Sequence, residues 1–173
     1  MSPSPTRLAV AVCAAFAAAG SARAQAWDTY SYPDAGFVVQ FPAQPRVDRG
    51  AWRTAAGLDV PAAIYAARLD RADYVVTIAD FSGTALDKDA AIADAVTVVA
   101  RGDRPVADVE ARINTRYGRE VSFAGQDGAW TVTAVFFFNQ KLYVLEGRAS
   151  GPNGKDASGR LIRFQQSLQF PGP

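Results

Sequence analysis

The sequence predicts an α+β fold, drawn as a three-layer α/β/α sandwich with a central antiparallel sheet and one helix on each face. Three observations carry this. Short segments rich in β-branched and aromatic residues recur between turn residues, which is the pattern of an antiparallel meander. Two segments, one in each half of the chain, switch to helical spacing. Between them lies "AVFFF", Ala134 to Phe138. A strand covered on one side alternates apolar and polar residues, whereas one covered on both sides becomes continuously apolar. Val135 to Phe138 therefore belong to a central strand, and two amphipathic helices are available to cover it.

The elements follow in order. "TYSY", Thr29 to Tyr32, has strand composition, and "PDAG" supplies turn chemistry before the strand "FVVQF". Pro42 ends that strand because it has no N–H to donate, so the pair reads as a tight hairpin at the edge of a sheet. "RVDRGAWRT" alternates loosely, with Val47 and Trp52 as inward candidates. "AAG" turns the chain into "LDVPAAIYAARL", whose Pro61 calls for an edge position or a bulge. "DRAD" turns it again into "YVVTIADF".

The period then changes. In "ALDKDAAIADAVTVVARGDRP", Asp87 or Asp89 can cap a helix carrying Ile92, Ala95, Val96 and Val99 on one stripe, with Gly102 and Pro105 as stops. Asp94 falls on the solvent side of that stripe. Strands resume with "ADVEARINT", "YGREVSF", "AWTVTAVFFFNQ" and "KLYVLEGRAS", the last two joined by the two-residue turn "NQ". After a glycine-rich loop, "GRLIRFQQSLQF" sets Leu161, Phe164 and Leu168 on one stripe with Ile162 beside it. Asp156 or Ser158 is available as a cap, and Pro171 lies beyond the end.

The first residues read as a secretory signal: Arg7, then thirteen apolar or small residues, then Ala22-Arg23-Ala24 as an A-x-A cleavage site. Cleavage after Ala26 is the alternative site. The apolar run falls short of the roughly 20 residues that span a bilayer. Residues 1–24 are thus expected to be removed and residues 25–173 to form one domain in the periplasm or outside the cell. Removal takes Arg7, Arg23 and the single cysteine, Cys13, and shifts the formal net charge from +1 to −1. What remains is large enough to bury about 68–70% of its unfolded surface without disulfides. No later apolar run reaches membrane-spanning length, and no basic block points to nucleic acid.

Without histidine, and without cysteine after cleavage, the usual nucleophile–base pairs and transition-metal sites have no components. The densest carboxylates, Asp87, Asp89 and Asp94, are read as helix caps and surface residues, since the run lacks the glycine and closing glutamate of a calcium loop. "GPNGKDASG" lacks the lysine spacing of a phosphate-binding loop and is read as an ordinary flexible loop. No catalytic residue, metal or cofactor is assigned. Arg119 and Glu120 point to opposite faces of their strand. A structural ion pair is the leading reading of Arg119, and anion recognition is the alternative. Trp130, Tyr143 and Phe137 join Arg119 as candidate ligand or interaction residues, with Tyr32 and Trp52 as further core or rim aromatics. Phe137 represents the reading in which one phenylalanine of "AVFFF" is exposed as a binding patch.

In order and wording, several segments together resemble the PsbP-like superfamily. These are Tyr32-Pro33, Gly36-Phe37, Phe41-Pro42 and Pro45 near the start, then "YGREVSF" (Tyr117 to Phe123), "FFFNQKLYVLEGRAS" and "RFQQSLQF". The resemblance runs from about Tyr30 to Phe170 and implies an α/β/α sandwich. That superfamily includes photosystem proteins, a eukaryotic Ran-binding protein and many exported bacterial domains. Nothing in these residues supports manganese-cluster chemistry, and an export signal is at odds with Ran binding. The function expected is that of an exported, non-enzymatic accessory or interaction module with an envelope protein as partner. A periplasmic small-ligand or anion-binding domain is the alternative, and a carboxylate hydrolase the third reading.

Overall fold

The computed structural model describes residues 27–171. The signal segment, both cleavage sites and Cys13 lie outside the described residues. Among these residues are nine strands, two α-helices and two short 3-10 turns. The hairpin β1 (Asp28–Tyr32) and β2 (Phe37–Phe41) forms a sheet of its own. The remaining strands are β3 (Arg46–Arg53), β4 (Asp59–Leu69), β5 (Ala72–Asp80), β6 (Ala107–Ile113), β7 (Arg116–Ala124), β8 (Trp130–Phe138) and β9 (Lys141–Ala149). They make one antiparallel sheet in the order β3-β4-β5-β9-β8-β7-β6.

Two meanders, β3 to β5 and β6 to β9, are joined by helix α1 (Lys88–Ala100) and close on each other where β9 pairs with β5. Strand β9 thereby becomes the middle of the seven and β8 its neighbour, which accounts for their continuous apolar runs. Successive residues divide between two clusters. Ala134, Phe136, Tyr143 and Leu145 pack with Leu161 and Phe164 of α2 (Ser158–Gln166). Val135, Leu142 and Val144 pack with Ile92, Ala95 and Val99 of α1.

Local chemistry explains most boundaries. Asp87 caps α1, its carboxylate accepting the Ala90 N–H at 2.9 Å. The helix ends as Arg101 and Gly102 both turn to positive φ. Asn139 and Gln140, at φ 49° and 60°, make the β8–β9 turn of the left-handed type that suits strand twist.

Six expectations need correction. The N-terminal hairpin is not an edge of the main sheet. Phe37, Val39 and Phe41 are buried on one face, and packing that face on Tyr65 and Phe164 turns the hairpin into a cover. Val47 is 52% exposed while Trp52 is half-buried, because residues five apart on a strand face opposite ways. Asp94 is not a solvent-side residue: it is half-buried and its Oδ1 accepts the Ala55 N–H at 2.9 Å, tying α1 to the β3–β4 turn. Helix α2 has no side-chain cap, since the chain enters it from the 3-10 turn Gly154–Ala157. Leu168 is buried but lies beyond the helix.

Pro61 is the sixth: β4 lies inside the sheet and carries no bulge there, but Pro61 sits past the end of the β4–β5 ladder, where its missing N–H costs no pairing. The Thr54 N–H donates to Leu58 O at 2.8 Å, continuing the β3–β4 register. In an antiparallel pair hydrogen-bonded and non-bonded positions alternate. Gly50↔Ala62 is then bonded and Ala51↔Pro61 is not, so the Pro61 nitrogen faces β5, where the ladder stops at Ala62↔Ala79. The Phe81 N–H to Gln140 O bond, counted back through β9 and β5, gives the same alternation.

The chain ends are fastened together. Val38 and Gln169 exchange two backbone hydrogen bonds of 2.9 and 2.8 Å, and Ser167 Oγ accepts the Gln40 N–H.

Candidate functional site

The structure does not bring Arg119, Trp130, Tyr143 and Phe137 together. Arg119 forms a two-pronged pair with Asp108 on the neighbouring strand, its Nε donating at 2.9 Å. The Glu120 carboxyl, one residue on and facing the other way, is pushed above the ordinary range by burial. Phe137 is half-buried, edge-on to Phe81 at 6.0 Å in the cluster under α1. Phe138, beside it, lies under Phe170 and the Arg116 guanidinium, so "AVFFF" leaves no bare patch. Trp130, at the other end of β8, carries Lys155 Nζ at 5.4 Å from its ring centre. Tyr143 is buried on the α2 side, and its hydroxyl donates to Ala35 O at 3.0 Å.

That last bond leads to a cleft. The turn Pro33–Ala35 stands over the main sheet, held by the Tyr143 hydroxyl and by Lys141 Nζ on Asp34 O at 3.4 Å. Gly36 closes the turn at φ 79°, donating to Tyr32 O and Pro33 O. A Cβ at that position would meet the Tyr143 hydroxyl at 3.2 Å, so the turn needs glycine for both conformation and space. Between turn and sheet is an open cleft of about 380 Å³. Ala63, Tyr65 and Ile78 floor it, Pro61 and Arg49 form the rim toward β3, and Asp80 and Lys141 stand at the far end.

The side chains around the cleft differ in how fully they are engaged. Tyr65 is packed against Tyr32 (4.4 Å between ring centres) and Phe37 (5.1 Å), and its phenol is raised by burial and by Asp34. The Asp80 carboxyl is lowered, chiefly by the Ser82 N–H that it accepts at 2.9 Å, and so stays ionised. Arg46 and Arg53, also on β3, are paired with Asp48 and Asp59, whereas Arg49 makes no ion pair among the described residues. The cleft thus offers an apolar floor, with Arg49 making no ion pair among the described residues at one lip and the ionised Asp80 beside Lys141 at the far end. It holds no nucleophile set beside a base.

A second cleft of about 380 Å³ lies at the glycine-rich loop, lined by Arg71, Arg160, Asp70 and Asp156. Arg160 is paired with Asp70, and Gly154 N–H is spent on Gly128 O and Gly151 O. A third, of about 410 Å³, lies between the start of α1 and β7, where Arg119 is committed to Asp108 and Lys88 to Asp89.

Arg49, Tyr65, Ile78 and Lys141 escaped the sequence reading because they lie on four strands with no shared motif. The signal nearest to them is the "PDAG" turn, which besides ending a strand forms the cleft wall.

No family model matches the chain, and no curated protein matches it. Among solved structures, the solution structure of cyanobacterial PsbP (CyanoP) from Synechocystis sp. PCC 6803 is similar over 90% of this chain and 99% of that one, with a TM-score of 0.58 and 12% identity. The likeness is one of fold: this chain has a PsbP-like fold.

Proposed function

We propose that this chain, with its PsbP-like fold, is an exported, non-enzymatic accessory module that works by holding another protein. The observation that carries this reading is the cleft between the Pro33–Ala35 turn and β3–β5, with Tyr65 and Ile78 as an apolar floor and Arg49 at the rim without an ion pair among the described residues. Such a surface gains free energy by covering apolar area and uses charge to choose the partner. Export is supported by the layout of residues 1–24. The three-layer arrangement proposed from the sequence is supported by the division of β8 and β9 side chains between the α1 and α2 clusters.

A small-ligand role is the second reading, favoured by the cleft's volume of about 380 Å³, within the roughly 300–1,000 Å³ usual for such sites. A photo-crosslinking residue at Pro61, on the rim, separates the two in the cells that make the protein. A control position is Gln126, an exposed residue beyond β7. One discrete protein adduct from position 61 and none from 126 supports the module. No adduct, together with a rise in melting temperature on screening small amphiphilic carboxylates, overturns it in favour of the ligand.

A further inference from the structure

From the free edge of β3 beside the cleft, we infer that this protein docks an extended, acidic segment of its partner as an added strand, with an aromatic side chain reaching into the cleft. The inference rests on the interaction-module reading and names the partner's chemistry.

Strand β3 is one of the two outer strands of the seven, the other being β6, and it is the one beside the cleft; it is eight residues long. The alternation that places Pro61 also decides which of its backbone groups are spent. Arg46, Asp48, Gly50 and Trp52 bond to β4, so the N–H and C=O groups of Val47, Arg49, Ala51 and Arg53 point away from the sheet. An edge of this kind is a template for another strand. Proteins commonly blunt such edges with charged side chains, proline or bulges, and of these β3 carries only charges, Arg46, Asp48, Arg49 and Arg53. Here β3 holds no proline and its register runs unbroken from Arg46↔Ala66 to Arg53↔Asp59.

The outward-pointing positions share a face with the cleft. Val47, Arg49 and Ala51 stand opposite Tyr65, Ala63 and Pro61, so their side chains lie on the Tyr65 side. A strand laid against β3 would place alternate side chains on that face. One of them faces Arg49, which lacks an internal partner, and an acidic residue there meets an opposite charge across the pair. Its neighbour two residues along points toward the cleft floor. The nearer part of that floor, Ala63 and Tyr65, is on β4, two strand spacings or about 10 Å from the incoming backbone, so a long or aromatic side chain is required to reach it. Ala51, on the cleft face beside Arg49, leaves the path over β3 low. Backbone bonds supply affinity, and the cleft and Arg49 supply the choice of sequence.

The test uses the purified chain and fluorescein-labelled decapeptides built on a Glu-Thr-Phe-Thr or Glu-Thr-Tyr-Thr repeat, which sets Glu and the aromatic two residues apart on one face, with matched peptides carrying Lys for Glu. Expected are saturable binding of acidic aromatic peptides, at least about tenfold weaker binding of the Lys series, and slowed amide exchange at Val47, Arg49, Ala51 and Arg53. Ala51→Pro removes an outward N–H without touching the β4 ladder, a position where edge strands accept proline, and is expected to abolish binding. Should that variant fail to fold, Arg49→Glu, an exposed change, is expected to reverse the preference toward the Lys series. Failure of every acidic peptide to bind at about 1 mM, or binding that leaves those four amides unprotected, overturns the inference. A crosslinked partner at position 61 that survives Ala51→Pro overturns strand addition alone and leaves the interaction module standing.

Discussion

Replacing Gly36 by alanine tests the cleft wall most directly. The change forces an L side chain into the left-handed region, where φ is 79°, at a cost of about 1–2 kcal/mol. It also sets a methyl 3.2 Å from the Tyr143 hydroxyl. The hydroxyl must give way, weakening its 3.0 Å bond to Ala35 O, a bond worth about 0.5–1.5 kcal/mol. Gly36→Ala should therefore cost about 2–3 kcal/mol in all. Tyr143→Phe alone should cost about 1 kcal/mol. In the double variant the hydroxyl is already gone and only the backbone cost is added. The pair should then fall short of the sum of the singles by about 1 kcal/mol. Equilibrium urea unfolding of the four proteins measures this, and Gly36→Ala should lower Tm by about 4–12 °C. A single-variant cost under about 0.5 kcal/mol would refute the imposed positive φ. Additivity within about 0.3 kcal/mol would refute the contact with Tyr143.

Three further outcomes are expected. Arg119→Ala and Asp108→Ala should each cost about 0.2–1 kcal/mol and the double variant no more than either, because this pair is partly exposed; a loss above about 2 kcal/mol in urea unfolding would contradict that. Glu120 titrates above its ordinary 4.5 because burial penalises its charge. The folded state then holds the proton more tightly than the unfolded one, and the stability the acid form contributes is present below 4.5 and lost as pH rises through the folded value. Glu120→Gln should therefore gain on the parent protein between about pH 4 and 7, and unfolding curves with no such trend would contradict the burial argument. Gly118→Ala places a methyl on Val135 O and within 2.6 Å of Phe136 Cδ1; a cost of at least about 1–3 kcal/mol is expected, seen as lost soluble yield and a lower Tm.

Where local chemistry decides, the sequence was a sufficient guide. Asp87 caps α1 because its side chain can reach the N–H three residues on, and Asn139-Gln140 turns because both residues tolerate positive φ. Val135 to Phe138 marked a strand near the middle of the sheet because burial on two faces leaves no room for alternation. The cleft was not legible, since Asp34, Arg49, Tyr65, Ile78 and Lys141 meet only through the pairing of β5 with β9 and the folding-over of the N-terminal hairpin. Asp94 was misplaced for a related reason: its partner, the Ala55 amide, is 39 residues away in a turn whose approach no local pattern records. Arg119 fared better, because a partly covered charge calls for a counter-charge whatever the fold.

The fastening of Val38 to Gln169 also governs the order in which the molecule can assemble. The β1–β2 hairpin is the first part of the described chain to be synthesised, yet its cover, Leu161, Phe164 and the Ser167–Gln169 clasp, comes last. Contacts that span nearly the whole chain must await its end and slow the search for the native state. Until residue 169 is available, Phe37, Val39 and Phe41 have no complete site to occupy, and the growing chain presents them to whatever holds it. The Ser167–Gln169 clasp thus sets one limit on assembly: the pairing that seats Val38 and Gln40 cannot form before residues 167–169 are present.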